Sequence, residues 1–131
     1  MAIQGTAFLI VGLVISSCFF SMAFAVSGTA TYYTDYSTNA CYNNVDQGKI
    51  IAAASDDVWD GGAACGRMYS VTCTGATNQG VPQPCTGASV TVKIVDYCPA
   101  GCQGTLDLSQ EAFSQIADVN AGKIYIDYTQ V

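Results

Sequence analysis

Within the run Val95-Asp96-Tyr97-Cys98-Pro99-Ala100-Gly101-Cys102-Gln103-Gly104-Thr105-Leu106-Asp107-Leu108-Ser109, two carboxylates flank two cysteines between an apolar strand and a helix. Asp96 and Asp107 are the residues most able to face a substrate. The chain has no His, which removes Ser-His and Cys-His catalysis. Any acid–base chemistry falls to carboxylates or Tyr. Both aspartates also have a purely structural reading. Asp107 can end a loop before a helix and accept backbone N–H groups, and Asp96 can be a buried carboxylate bonded to loop amides. Structural zinc favours paired Cys-x₂₋₄-Cys units. Only Cys98-x₃-Cys102 fits that spacing, so no metal and no cofactor are expected. Asp56, Asp57 and Asp60 read as a solvated cluster at a helix start rather than a calcium site.

The chain that must position these groups begins with a segment of different character. An apolar run from Ala7 to Ile15 continues to Phe20, and Ala23-Phe24-Ala25 provides a small-x-small cleavage site. Residues 1–25 read as a secretory signal peptide and 26–131 as one domain. Gly12, Ser16, Ser17 and Ser21 interrupt the run below the ~20 apolar residues a membrane span needs. No membrane insertion is expected once the signal is removed. The net charge is −6, with Lys49, Arg67, Lys93 and Lys123 scattered. That argues against nucleic acid, which needs clustered cations. A neutral partner such as a polysaccharide remains open. Cys18 leaves with the signal, and six cysteines remain: Cys41, Cys65, Cys73, Cys85, Cys98 and Cys102. An even count in a small secreted chain reads as three disulfides, and spacing alone does not choose their connectivity.

Several segments carry strand or helix signals. Gly28 to Thr34 is β-branched and aromatic, and reads as a first strand. Asp35 to Gly48 is a polar loop, and Ile50 to Ala54 a short buried strand. Ser55 can cap a brief helical turn through Trp59, ended by Asp60-Gly61-Gly62. Met68 to Cys73 alternates as a strand, and Thr74 to Gly87 reads as a loop. Ala88 to Val95 is the clearest strand, with Val90, Val92 and Ile94 facing one way. Ser109 caps a helix through Ala117, and Lys123 to Tyr128 is a last strand. Five or six short strands with one late helix predict an all-β domain of small-barrel type.

Five ordered blocks carry a resemblance across the mature chain. They are Gly28-Thr-Ala-Thr-Tyr-Tyr, Ile51-Ala-Ala-Ala-Ser-Asp-Asp-Val-Trp59, Ala64-Cys-Gly-Arg-Met-Tyr-Ser-Val-Thr-Cys73, Val90-Thr-Val-Lys-Ile-Val-Asp-Tyr-Cys-Pro99 and Thr105-Leu-Asp-Leu-Ser-Gln-Glu-Ala-Phe113. Together they resemble the first domain of expansins, and more closely the single-domain plant natriuretic peptides, also called endoglucanase-45-like domain proteins. The resemblance implies a six-stranded double-psi β-barrel with one or two short helices. It also implies the pairs Cys41–Cys65, Cys73–Cys85 and Cys98–Cys102. Met68 stands where expansins carry a further cysteine.

The same barrel occurs in family 45 glycoside hydrolases, where one carboxylic acid protonates the leaving oxygen. A second carboxylate, roughly 6.5–9.5 Å away, activates water. By resemblance Asp107 takes the acid position and Asp35 the base position, although Asp35 reads equally as a solvated loop carboxylate. Thr31, Tyr33, Asp35, Asp96 and Asp107 would form a polysaccharide groove. Tyr36, Trp59 and Tyr97 could stack on sugars, with core packing the competing role for Trp59. The leading expectation is a secreted, monomeric protein acting without catalysis in the apoplast, on water and solute balance or in stress and defence responses. Its partner would be a cell-surface receptor or the cell-wall polysaccharide. Expansin-type wall binding or loosening is the alternative, and glycoside hydrolysis a third reading.

Overall fold

A computed structural model of the chain describes residues 12, 24–99 and 102–131. The expected signal segment, apart from residues 12, 24 and 25, lies outside the described residues, as do Ala100 and Gly101. Six strands are present: β1 Val26–Tyr33, β2 Ile51–Ala54, β3 Met68–Ala76, β4 Ser89–Tyr97, β5 Leu106–Ser109 and β6 Ile124–Gln130. Two short helices accompany them, α1 Asp56–Trp59 and α2 Gln110–Ile116. The strands close into a barrel in the order β1-β5-β2-β4-β3-β6. The β1–β5 and β2–β4 pairs are parallel and the other four antiparallel. This is the double-psi arrangement, in which two interlocked parallel pairs cross over each other.

The inward alternation builds the core. Ala30, Val71, Val92, Ile94, Leu106, Leu108 and Ile124 have no solvent exposure. Helix α2 plugs one end of the barrel with Phe113 and Ile116, both fully buried. Its start is fixed by Ser109, whose Oγ accepts from the Ala112 N–H at 3.2 Å. Tyr32 meets Phe113 with ring centroids 5.0 Å apart. Disulfides join Cys41 to Cys65, Cys73 to Cys85 and Cys98 to Cys102, with Cα separations of 5.4, 5.3 and 5.7 Å. These distances suit unforced bridges.

Four local expectations differ from the structure. The connection expected between Val95 and the helix contains a strand, β5, so Asp107 does not end a loop. Leu-Asp-Leu-Ser has no β-branched residue and little strand signal of its own. It is extended because β1 and β2 supply hydrogen-bonding partners on both edges. Strand β4 continues through Asp96 to Tyr97, and β3 continues to Ala76. Ser55 stands at the α1 N-cap position but makes no capping bond, and its buried Oγ has no partner.

Close approach explains two glycines, Gly28 in β1 and Gly104 before β5. A Cβ on Gly28 would lie 2.6 Å from Thr105 Oγ1. One on Gly104 would lie 3.1–3.3 Å from the Leu106, Thr31 and Thr29 backbones. The segment leading into β5 can therefore lie flat against β1.

Candidate functional site

The outward faces of four adjacent strands bring the site residues together. Cross-strand register sets Thr31 opposite Asp107, Asp107 opposite Ala53, and Ala53 opposite Asp96. Residues directly opposite one another point to the same face of a sheet. Leu106, Leu108, Ala52 and Ala54 point inward with no exposure, so Asp107 and Ala53 between them point outward. With strands ~4.8 Å apart, Asp107 and Asp96 stand about 10 Å apart at their backbones, separated by the methyl of Ala53. The row is a trough with a carboxylate on each side and a small apolar floor.

A bulge puts Asp96 there. Strict alternation from Val90, Val92 and Ile94 would turn Asp96 into the core. Instead the register slips between Ala52 and Ala53, so that Ala52 faces Ile94 while Ala53 faces Asp96. Ile94 and Val95 are both buried, and the extra residue re-aims Asp96 outward.

The carboxylates have different surroundings. Asp107 is half-buried and its Oδ1 accepts from Thr31 Oγ1 at 2.9 Å. Burial raises its pKa above the ordinary aspartate value, and the Thr31 hydrogen bond offsets only part of that rise. Asp96 Oδ1 instead accepts two backbone N–H groups, from Ala40 at 2.9 Å and Tyr97 at 2.8 Å. The loop after β1 is thereby tied to the end of β4. The Tyr33 hydroxyl is held strongly protonated, first by burial and then by the charges of Asp96 and Asp107. Tyr33 stands two positions after Thr31 in β1 and so shares its face of the sheet.

Asp35 is not brought into this group. It lies beyond the end of β1, is exposed, and its Oδ1 accepts from Ser37 N at 3.0 Å and Ser37 Oγ at 2.6 Å. The Ser37 hydrogen bonds lower its pKa, and Asp107 is not among the groups that perturb it. The carboxylate is occupied in its own loop turn.

A second row continues the trough along the strands. Thr105 N donates to Thr29 O at 2.9 Å, Ser55 N to Thr105 O at 3.1 Å, and Cys98 N to Ala54 O at 2.8 Å. Thr29, Thr105, Ser55 and Cys98 then line a cleft of 350 Å³, rimmed by Asp56 and Asp57. At the other end stands Tyr36, its ring edge-on to Tyr33 with centroids 5.3 Å apart. Its hydroxyl donates to the Glu111 carboxylate and accepts from Gln110 N at 3.0 Å. Trp59 is partly buried against the core and packs on Tyr97 at 5.1 Å, and the Tyr97 hydroxyl donates to Asp56. Among the described residues, no group of three His, Cys, Asp or Glu could hold a metal ion.

Reading the sequence alone missed Ala53, the Thr29–Thr105–Ser55 row and Glu111. Ala53 sits in an Ala-Ala-Ala run where alternation leaves no polarity contrast to read.

Comparison with known proteins places this geometry. The family model described as lytic transglycolase matches residues 51–128. An EG45-like domain containing protein of Citrus jambhiri is 54% identical over 127 residues, covering 96% of this chain and 97% of that protein. An EG45-like protein of Arabidopsis thaliana is 57% identical over 109 residues, covering 83% of this chain and 86% of that protein. Among solved structures, a mutant Clavibacter michiganensis expansin in complex with cellohexaose has a TM-score of 0.61 and 32% identity. The match covers 82% of this chain but only 50% of that expansin.

Proposed function

The chain belongs to the EG45-like proteins within the double-psi barrel family of the lytic transglycolase model, and on that premise we propose that it is a secreted, extracellular protein that binds cell-wall polysaccharide without cleaving it. The observation that carries this reading is the trough itself. Thr31, Asp107, Ala53 and Asp96 lie in one row across four strands, with Tyr33 on the same face of β1 as Thr31. A sugar chain needs such a surface: an extended strip of hydroxyls and carboxylates with a flat aromatic at one end. Complex formation between a related expansin and cellohexaose supports a β-linked glucan as the occupant.

Hydrolysis would need a second carboxylate free to activate water. Asp35 Oδ1 is held by Ser37 and Asp96 Oδ1 by two backbone amides, which gives each carboxylate a structural role. Asp107 is therefore a lone acid-type group, suited to hydrogen-bonding a glycosidic or hydroxyl oxygen. The test is retention of the purified 26–131 domain on cellulose, xylan and pectin, with Asp107→Ala alongside. Retention of the parent domain and its loss in the variant are expected, with no release of reducing ends. No retention on any wall fraction would remove the proposal. Secretion is tested separately, by finding Val26 as the first residue of the extracellular protein.

A second reading has one observation in its favour. This chain is 54% identical to an EG45-like protein over 97% of that protein's length. We hold a signalling role in the apoplast, on water and solute balance or in stress and defence, as that second reading. Protoplasts that keep their volume and ion flux at low protein concentration would exclude it.

A further inference from the structure

We infer that removal of residues 1–25 builds an ion pair into the fold, in which the new α-ammonium group of Val26 is held by the Asp57 carboxylate at the mouth of the barrel. The inference rests on the secretion reading above and not on glycan binding. Strand β1 runs from Val26 to Tyr33, and Tyr33 pairs with Ser109, the residue that starts α2. Val26 therefore stands at the barrel end away from α2. Along β1 it shares the inward face with Gly28 and the buried Ala30, and its partner on β6 is Tyr128. Val26 and Tyr128 line a pocket of about 500 Å³. The other titratable groups around that pocket are Asp56, Asp57, Asp60, Arg67 and Tyr69, three carboxylates against one guanidinium. Two of the carboxylates are engaged, Asp60 by Arg67 at 2.8 Å and Asp56 by the Tyr97 hydroxyl. Asp57 has no hydrogen bond or ion pair among the described residues, and its charge acts on the Tyr128 hydroxyl. The pocket thus holds one unanswered carboxylate and the backbone nitrogen that cleavage would charge. Phe24 and Ala25 are exposed, which leaves the Ala25–Val26 bond open to a peptidase. Hydrolysis adds water across that bond. The departing Ala25 takes the oxygen as a carboxylate, and Val26 is left with an amine that binds a proton below its ordinary pKa of about 7.7–8.0. Pairing with Tyr128 already fixes Val26, so holding the new cation orders little further chain.

The test uses the secreted protein, sequenced from its N-terminus, beside the same protein with its α-amino group acetylated. The α-amino pKa is measured by NMR titration. It is expected about half a unit above the ordinary range, and back within that range in Asp57→Asn. Asp118→Asn removes the same unit of charge just after α2 and should leave the shift in place. A pKa raised in the folded state contributes stability that is complete below the unfolded value and is lost as pH rises through the folded value. Acetylation should therefore lower Tm by about 3 °C at pH 6.5 and leave it unchanged at pH 10. In Asp57→Asn the acetylation effect should disappear, because the partner is already gone. An ordinary α-amino pKa, a shift that survives Asp57→Asn, or an acetylation effect equal at both pH values would overturn the inference while leaving secretion intact. An extracellular protein whose first residue is not Val26 would remove both.

Discussion

Replacing Asp107 by Asn should make the domain more stable at neutral pH while weakening its hold on glycan. Asn keeps the shape of the side chain and an Oδ1 that can accept from Thr31 Oγ1, the 2.9 Å bond seen in the structure. What it removes is the cost of keeping a charge half out of water, the main cause of the raised pKa. The sign follows from linkage. A carboxyl whose pKa is higher in the folded state binds its proton more tightly there. Its favourable contribution is complete below the unfolded value of about 3.9 and is lost as pH rises through the folded value. At neutral pH the Asp is therefore a net burden that Asn does not carry. Near pH 3 both side chains are neutral and the difference should vanish. The outer-face position keeps the carboxylate in contact with solvent, which limits the gain to about 1 kcal/mol or less. That corresponds to roughly 2–6 °C in Tm for a domain of this size. Thermal unfolding of parent and variant at pH 7 and pH 3, followed by circular dichroism, measures it. A variant that melts lower at pH 7 than its parent, with no difference at pH 3, would refute the reasoning. It would mean that the charged form is stabilised by a partner rather than penalised by burial.

Asp96→Ala should act in the opposite direction, costing about 1–3 kcal/mol in denaturant unfolding, because two amides, Ala40 N and Tyr97 N, lose their acceptor. Ala53→Val should leave the cooperative unfolding transition in place but reduce cellohexaose affinity at least tenfold, because the added methyls fill the floor between Asp107 and Asp96; unchanged affinity by titration would mean that the ligand does not lie in the trough. Replacing both Cys73 and Cys85 by Ser should lower stability by about 3 kcal/mol without altering glycan affinity, since the bridge closes a loop of sequence separation 12 and neither cysteine lines the trough. Phe113→Ala should cost about 3–5 kcal/mol, because its ring is fully buried where α2 plugs the barrel.

Several features were legible in the residues themselves because their causes are local. The alternation of Val90, Val92 and Ile94 marks β4, and Ser109 marks the start of α2. The five sequence blocks point to the barrel because their order is a one-dimensional property. Other features depend on partners far along the chain. Strand β5 exists because β1 and β2 hold Leu106–Ser109 between them, the β1 partners lying 76 positions away. Asp96 faces outward only because β4 gains a residue against β2, a shift in pairing that no periodicity within β4 announces. Its carboxylate is engaged by the amide of Ala40, 56 residues earlier. Asp35 sits in the loop after β1, where its Oδ1 is engaged by Ser37 two residues on. The residues alone show which groups were available: carboxylates and tyrosines, no His, few cations and six cysteines in residues 26–131. Tertiary structure alone decided which of them share a face. Hydrogen-bond register between distant strands sets that arrangement, and a one-residue shift in register turns a side chain from core to solvent.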